Sequence, residues 1–299
     1  MRIRRRKKVV LALGAGGARG LAHIGAIRAL ERAGIPIDAI AGVSFGAIVG
    51  ALYSLKRDID EVEKMLRDYL ASPLFQETAR NMNLPPSEKN VSFLEKIQAT
   101  IQKGYFFSRA LRRQSVVTPE AFVLHMRDLV ADHDFCELSI PFRCSSVDLL
   151  TGNPIIFSDG PLLTALQASC ATPGFFPPIS LHGMLLVDGG VAEMMPVHLA
   201  RSFCPDYTIG VDVTREIEPI IEEQDLHHSL DVVFRSYDIT RDFTGVYTTR
   251  ELNCVIRPNI GACHWSDFQF FDLYVQEGFK AAQAKVPEIR KRVFWFGRG

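Results

Sequence analysis

At 299 residues the chain can bury a full core as one large domain or two small ones, and 47% hydrophobic against 23% charged residues is an ordinary globular balance. Its 34 basic residues offset 34 acidic ones, so no global charge draws it to nucleic acid. The six cysteines (Cys136, Cys144, Cys170, Cys204, Cys254, Cys263) form no C-x-x-C pair and have no histidine at ligand spacing, which excludes a disulfide framework or a zinc site and reads as buried free thiols in a reducing compartment.

Arg2, Arg4, Arg5, Arg6, Lys7 and Lys8 make residues 1–8 a basic arm, and Lys291, Arg292 and Arg298 add charge near the other end. Such termini are solvated, or they are drawn to anionic headgroups at about 1 kcal/mol per basic residue. The apolar run that follows is too short for a signal peptide, and no later run approaches the roughly 18 residues of a membrane span. The expectation is a cytoplasmic protein, with an arm suited to the inner membrane surface.

Val9–Leu13 is an apolar run bounded by glycine, the mark of a buried parallel strand. A loop spans Gly14 to Gly20, and a helix is predicted from Ala22 to Ala33, stopped by Gly34 with Pro36 beyond. Ile37 to Val43 reads as a second strand and Phe45 to Leu55 as a small-residue helix. This β-α-β-α opening implies a parallel sheet with right-handed crossovers. From Asp58 to about Ala131 the pattern is charged, helical in period, and broken by Pro73, Pro85 and Pro86. It reads as a helical insertion or cap after the second helix, whose Phe75, Phe93, Phe106 and Phe107 either line an apolar cleft or pack its own core. Strand signals return at Phe142 to Val147, Pro154 to Phe157, Met184 to Val187, Tyr207 to Val213 and Cys254 to Ile256. Helices are predicted at Leu162 to Ser169, Leu226 to Asp242 and Tyr274 to Ala284. With no repeat or linker, residues 9–299 read as a single α/β domain.

Three motifs carry chemistry. Gly14-Ala15-Gly16-Gly17-Ala18-Arg19-Gly20 lies between a strand and a helix. It fails as a dinucleotide loop, because Arg19 holds the sixth position and Asp38 precedes most of the second strand. It suits an anion hole, since glycines let N–H groups converge and the helix N-terminus adds positive potential. Arg19 either closes this loop or binds a substrate phosphate; the first role is the simpler. Gly42-Val43-Ser44-Phe45-Gly46 spells G-x-S-x-G on a strand-to-helix turn, the setting of a nucleophile elbow. Asp188 ends the apolar strand Leu185-Leu186-Val187 and precedes Gly189 and Gly190, where it is either a turn former or an acid delivered to the same carboxyl edge as Ser44.

Taken in order, these motifs resemble the patatin-like phospholipase family, as does Ala168-Ser169-Cys170-Ala171-Thr172-Pro173-Gly174-Phe175-Phe176-Pro177-Pro178 shortly before Asp188. The likeness runs from about Val9 to Val213. It implies a three-layer α/β fold with a mostly parallel central sheet, helices on both faces and an insertion after the nucleophile helix. It also implies Ser44 as nucleophile, Asp188 as its base, and an oxyanion hole from Gly16 and Gly17 with their neighbours Ala18 and Arg19. Gly14, Gly20, Gly42, Gly46, Gly189 and Gly190 are the motif glycines. Ala15, and Ala192-Glu193-Met194-Met195 after the D-G-G, depart from the family's pattern. A triad would instead need His198, His227, His228 or His264, each of which reads as a surface or capping residue, and His23 reads as a packed helix residue. The expected activity is that of a serine lipid acyl hydrolase on phospholipid or lysophospholipid esters, with no metal, no cofactor and no nucleic acid partner. Transacylation at the same site, and a silent lipid-binding or regulatory protein on this fold, are the alternatives.

Overall fold

The computed structural model describes residues 6–82, 115–214, 229–261, 263 and 265–294. Pro85, Pro86, Phe93, Phe106, Phe107, His227, His228, His264, Arg298 and the first five residues of the basic arm lie outside the described residues.

Strand β1 (Val9–Leu13) is buried at every position, and its side chains alternate between two cores. Val9, Leu11 and Leu13 enter the larger core with helices α1 (Ala22–Arg32), α2 (Phe45–Lys56) and α3 (Ile59–Ala71). Val10 and Ala12 point the other way, toward Met195, Val197 and Leu199. Helical layers thus cover both faces of the sheet. β2 (Ala39–Gly42) pairs parallel with β1. The insertion supplies α3, α4 (Pro73–Met82) and, beyond residue 114, α5 (Pro119–Val130). Asp58 caps α3 by accepting from the N–H groups of Asp60 and Glu61, and Thr118 caps α5 just before Pro119.

The chain continues through β3 (Phe142–Asp148), β4 (Pro154–Phe157), α6 (Leu162–Cys170), β5 (Ile179–Leu181), β6 (Met184–Asp188), α7 (Val197–Arg201) and β7 (Tyr207–Val211). It ends with α8 (Ser229–Thr248), β8 (Cys254–Ile256) and α9 (Phe271–Val293). The eight strands form one sheet in the order β5-β6-β3-β2-β1-β7-β8, with β4 also paired to β3. Pairing is parallel across β3-β2-β1-β7-β8 and antiparallel at β3-β4, β3-β6 and β5-β6.

That antiparallel flank corrects the expectation for Asp188. Its strand does not run alongside β2 toward a shared carboxyl edge. Cys144 pairs with Gly42 and with Phe157, while Ser146 pairs with Asp188 and with Ile155. A strand residue meets one neighbour per edge, so β4 holds one edge of β3 and β2 and β6 share the other, end to end. Their carboxyl ends face each other. β6 is set in this direction by a two-residue turn from β5, His182-Gly183, with φ of 48° and 80°, the pattern of a type I′ hairpin.

Other boundaries also move. α9 extends beyond Ala284 to Val293 and runs through Pro287, because Ile289 and Val293 are buried and tertiary packing offsets the lost helical hydrogen bond. Cys144, Cys170 and Cys254 are buried free thiols as expected, but Cys136, in a short 3₁₀ helix (Phe135–Glu137), and Cys204, in the loop before β7, are exposed, and Cys263 is half-buried. Part of the basic arm is tied to the fold: Arg6 forms a bidentate pair with Asp38 (2.6 and 2.7 Å), and the Lys8 ammonium donates to the Phe203 carbonyl at 2.6 Å.

Candidate active site

Ser44 stands between β2 and α2. Its backbone adopts φ 55° and ψ −128°, a region that non-glycine residues seldom occupy and that costs about 1–3 kcal/mol. The surroundings enforce it. Val43 N–H donates to the Leu13 carbonyl at 3.2 Å, and the Ser44 carbonyl already accepts from Ala47 at 2.8 Å as the first helical bond of α2. Two residues on, a side chain at Gly46 would collide with the carbonyls of Leu13 and Gly14, which is why the elbow needs glycine there.

Asp188 meets this elbow from the opposing strand end. Ser44 Oγ donates to Asp188 Oδ2 at 2.7 Å. Thr172 Oγ1 donates to the same oxygen at 2.9 Å, and Gly190 N–H donates to Oδ1 at 2.8 Å. The carboxyl is only 5% exposed. Burial raises its pKa above the ordinary carboxylate value, opposed by the hydrogen bonds from Ser44, Gly190 and Thr172. A raised pKa with a hydroxyl in contact is the setting of a general base.

The glycine loop lies against both partners. A side chain on Gly190 would meet Ala15 at 3.3 Å, and Ala15 N–H donates to the Met194 carbonyl at 2.8 Å, so the two departures from the family pattern touch one another. A 3₁₀ turn, Gly17–Leu21, leads into α1 and aims a helical N-terminus at this junction, with Gly17 in the left-handed region at φ 57°. No acceptor for the N–H groups of Gly16 and Gly17 is found among the described residues. Ala18 differs: its N–H donates to the Trp265 carbonyl at 2.6 Å and is already committed. Arg19 is buried, with Nε donating to the Gly16 carbonyl at 3.2 Å, so its guanidinium braces the loop.

His23 is fully buried with Nε2 2.8 Å from the Gly14 carbonyl, and burial lowers its pKa to about 4, so it is the neutral imidazole that holds the start of the loop. His198 pairs with Glu193 at 2.8 Å and is largely exposed. Among the described residues no histidine contacts Ser44 Oγ or the Asp188 carboxylate.

Ser169 and Thr172 had no assigned role in the sequence. Ser169 Oγ accepts from Ser44 N–H at 3.2 Å, the Ala171 carbonyl accepts from Asp188 N–H at 3.0 Å, and Thr172 holds the carboxylate. One segment therefore touches both members of the pair. Its signal was a run of small and hydroxyl residues ending a helix just before Pro173-Gly174.

Next to Gly190 opens a cleft of about 140 Å³, lined among others by Val191, Glu193, Met194, Tyr237 and Arg241, the last two from α8; Asp188 itself does not line it. On the opposite face of the same helix Ile239, Phe243 and Val246 are 50%, 63% and 47% exposed and do not line the cleft.

A family model described as patatin-like phospholipase matches residues 11–201. An NTE family protein of Mycobacterium bovis is 31% identical over 240 residues, 78% of this chain and 58% of that protein. Patatin-like phospholipase domain-containing protein 6 of Mus musculus is 30% identical over 70% of this chain and 14% of its own length, and a lysophospholipase of Aspergillus fumigatus 30% over 69% and 12%. The chain thus spans less than two thirds of each of these relatives. Among solved structures, VipD of Legionella pneumophila superposes with a TM-score of 0.50 at 13% identity, over 95% of this chain and 67% of that one, a likeness of fold.

Proposed function

The chain belongs to the patatin-like phospholipase family, and from that premise we propose that it hydrolyses phospholipid or lysophospholipid esters with Ser44 as nucleophile and Asp188 as the sole general base. The observation that carries this reading is the 2.7 Å hydrogen bond from Ser44 Oγ to Asp188 Oδ2, with the serine held on a strained elbow. Ser44 Oγ attacks the ester carbonyl while its proton passes to Asp188. The carbonyl oxygen becomes an oxyanion facing the Gly16 and Gly17 N–H groups, and loss of one such donor costs about 10²–10³ in rate. Asp188 returns the proton to the leaving alcohol, then takes one from the water that cleaves the acyl-serine.

A lipid substrate is favoured by the family and by the exposed apolar stripe Ile239, Phe243 and Val246, on the face of α8 turned away from the cleft and suited to a lipid surface. The Aspergillus relative is a lysophospholipase by name, which favours a single-chain lipid as the first substrate to try. The test is a fluorophosphonate probe, which needs a serine activated for attack. It should label one peptide, the one containing Ser44, and a soluble p-nitrophenyl ester should turn over. Labelling or turnover that persists in Ser44→Ala would overturn the assignment.

A further inference from the structure

Asp188 Oδ2 receives two hydroxyl donors, and only one of them is the nucleophile. The other, Thr172, is held from both sides by its own backbone. Its N–H donates to the Cys170 carbonyl at 2.7 Å, while its carbonyl accepts from Phe175 and Phe176 at 3.1 and 3.0 Å. Pro173 follows, which limits the conformations open to Thr172. The hydroxyl has one proton and two acceptors in reach, Asp188 Oδ2 at 2.9 Å and the Cys170 carbonyl at 3.4 Å. The shorter, charge-assisted bond takes the proton. Adjacent to it, Asp188 N–H is fixed on the Ala171 carbonyl, so main chain and side chain of the acid are anchored to two consecutive residues.

We infer that Thr172 is a positioning residue for the proton acceptor: its hydroxyl holds Oδ2 of the buried carboxylate toward Ser44. The inference rests on the reading of Ser44 and Asp188 given above. Its chemistry is a balance of two effects. Burial favours the protonated acid, which cannot accept the serine proton. A hydroxyl donating to the ionised form opposes burial without supplying a charge, and it leaves a lone pair of Oδ2 for the Ser44 hydrogen. The Gly190 N–H does the same at Oδ1, but removing a backbone donor takes a proline, which would also change the chain's conformation there. Among the described residues, the other titratable groups that feel Asp188 are Cys170 on α6 and Tyr237 on α8, both with pKa raised chiefly by burial and therefore neutral.

The experiment compares wild type, Thr172→Val, Thr172→Ala and Thr172→Ser on a soluble p-nitrophenyl ester from pH 4.5 to 9, with Ser44→Ala and Asp188→Asn as controls and a thermal melt for each. The acid limb of kcat/KM reports the base of the free enzyme. In Thr172→Val and Thr172→Ala that limb should move to higher pH, and kcat at neutral pH should fall by up to about 10²-fold, as for a misdirected reacting group. Thr172→Ser, which restores the hydroxyl alone, should return both toward wild type. A folded Thr172→Val or Thr172→Ala with the wild-type acid limb, or a Thr172→Ser as impaired as Thr172→Ala, would overturn the inference while leaving the dyad standing. An Asp188→Asn variant as active as wild type would instead overturn the dyad, and this inference with it.

Discussion

Asp188→Asn separates catalysis from stability in a way that only a buried base allows. The amide keeps the shape: its oxygen can accept from Gly190 N–H, and its NH₂ faces the oxygens of Ser44 and Thr172, which can accept as well as donate. What disappears is the proton acceptor, so kcat should fall by at least about 10²–10⁴, equivalent to about 2.7–5.4 kcal/mol of barrier. Stability should move the other way. Burial raises the folded-state pKa of Asp188 above its ordinary value of 3.8. An acid shifted upward destabilises the folded state as pH rises from its unfolded value through its folded one, and the cost is constant beyond. Asp188→Asn should therefore melt at a higher temperature than wild type at pH 7.5, and the gap should close only below pH 3.8, where neither state carries the charge. Parallel assays of ester turnover and of thermal melts at several pH values decide it. A dead variant that melts lower than wild type at pH 7.5 would refute the argument that the carboxylate is held at a cost for catalysis.

His23, neutral with its pKa lowered to about 4 by burial, should give the opposite pH dependence. Its contribution is intact above the ordinary histidine value of 6.5 and is lost as pH falls from 6.5 toward about 4, up to roughly 3 kcal/mol. Urea unfolding at pH 7.5 and 4.5 should show that loss in wild type and much less of it in His23→Gln, whose amide can still donate to Gly14; equal losses would refute it. The basic arm calls for a narrower change than deletion, because Arg6 and Lys8 are engaged with Asp38 and Phe203. Replacing Arg2, Arg4 and Arg5 with serine should reduce pelleting with anionic vesicles, more so at low salt, and leave soluble-ester turnover unchanged. Equal pelleting at low salt would rule out a membrane role for these three.

The first sixty residues were legible because each element there is local. Val9–Leu13 is apolar at every position, Gly34 and Pro36 stop the helix, and the elbow is written in adjacent letters. Asp188 was legible by motif and by its place at the end of Met184–Asp188, yet the direction of that strand was not. Its reversal is set by His182-Gly183, a weak two-letter turn signal after a strand of three residues, Ile179–Leu181, too short to show periodicity. Thr172 and Ser169 escaped for a different reason. A hydroxyl in a helix C-terminal turn has many local uses, and only the tertiary register of residues 169–172 against Ser44 and Asp188 selects one. The Ala18 N–H was likewise spoken for by Trp265, a residue 247 positions away that no local pattern could have named.

The end-to-end arrangement of β2 and β6 is what brings the proposed pair, Ser44 and Asp188, into direct contact with no imidazole between them. In a wholly parallel sheet the loops after two strands leave the edge in the same direction, and a serine and an acid on them are commonly joined by a third side chain. Here the serine strand ends opposite Cys144 and the acid strand ends opposite Ser146, on the same edge of β3. Two residues along a strand are about 7 Å, which is the gap that a serine and an aspartate side chain can close between them. The 2.7 Å contact follows from that spacing. It is also fragile in a defined way: a slip of one residue in the β3-β6 register would send Asp188 to the opposite face of the sheet and leave Ser44 facing no base. The Asp188 N–H bond to Ala171 and the Thr172 hydroxyl bond guard against that slip, so the same short segment that tunes the base also fixes the register that delivers it.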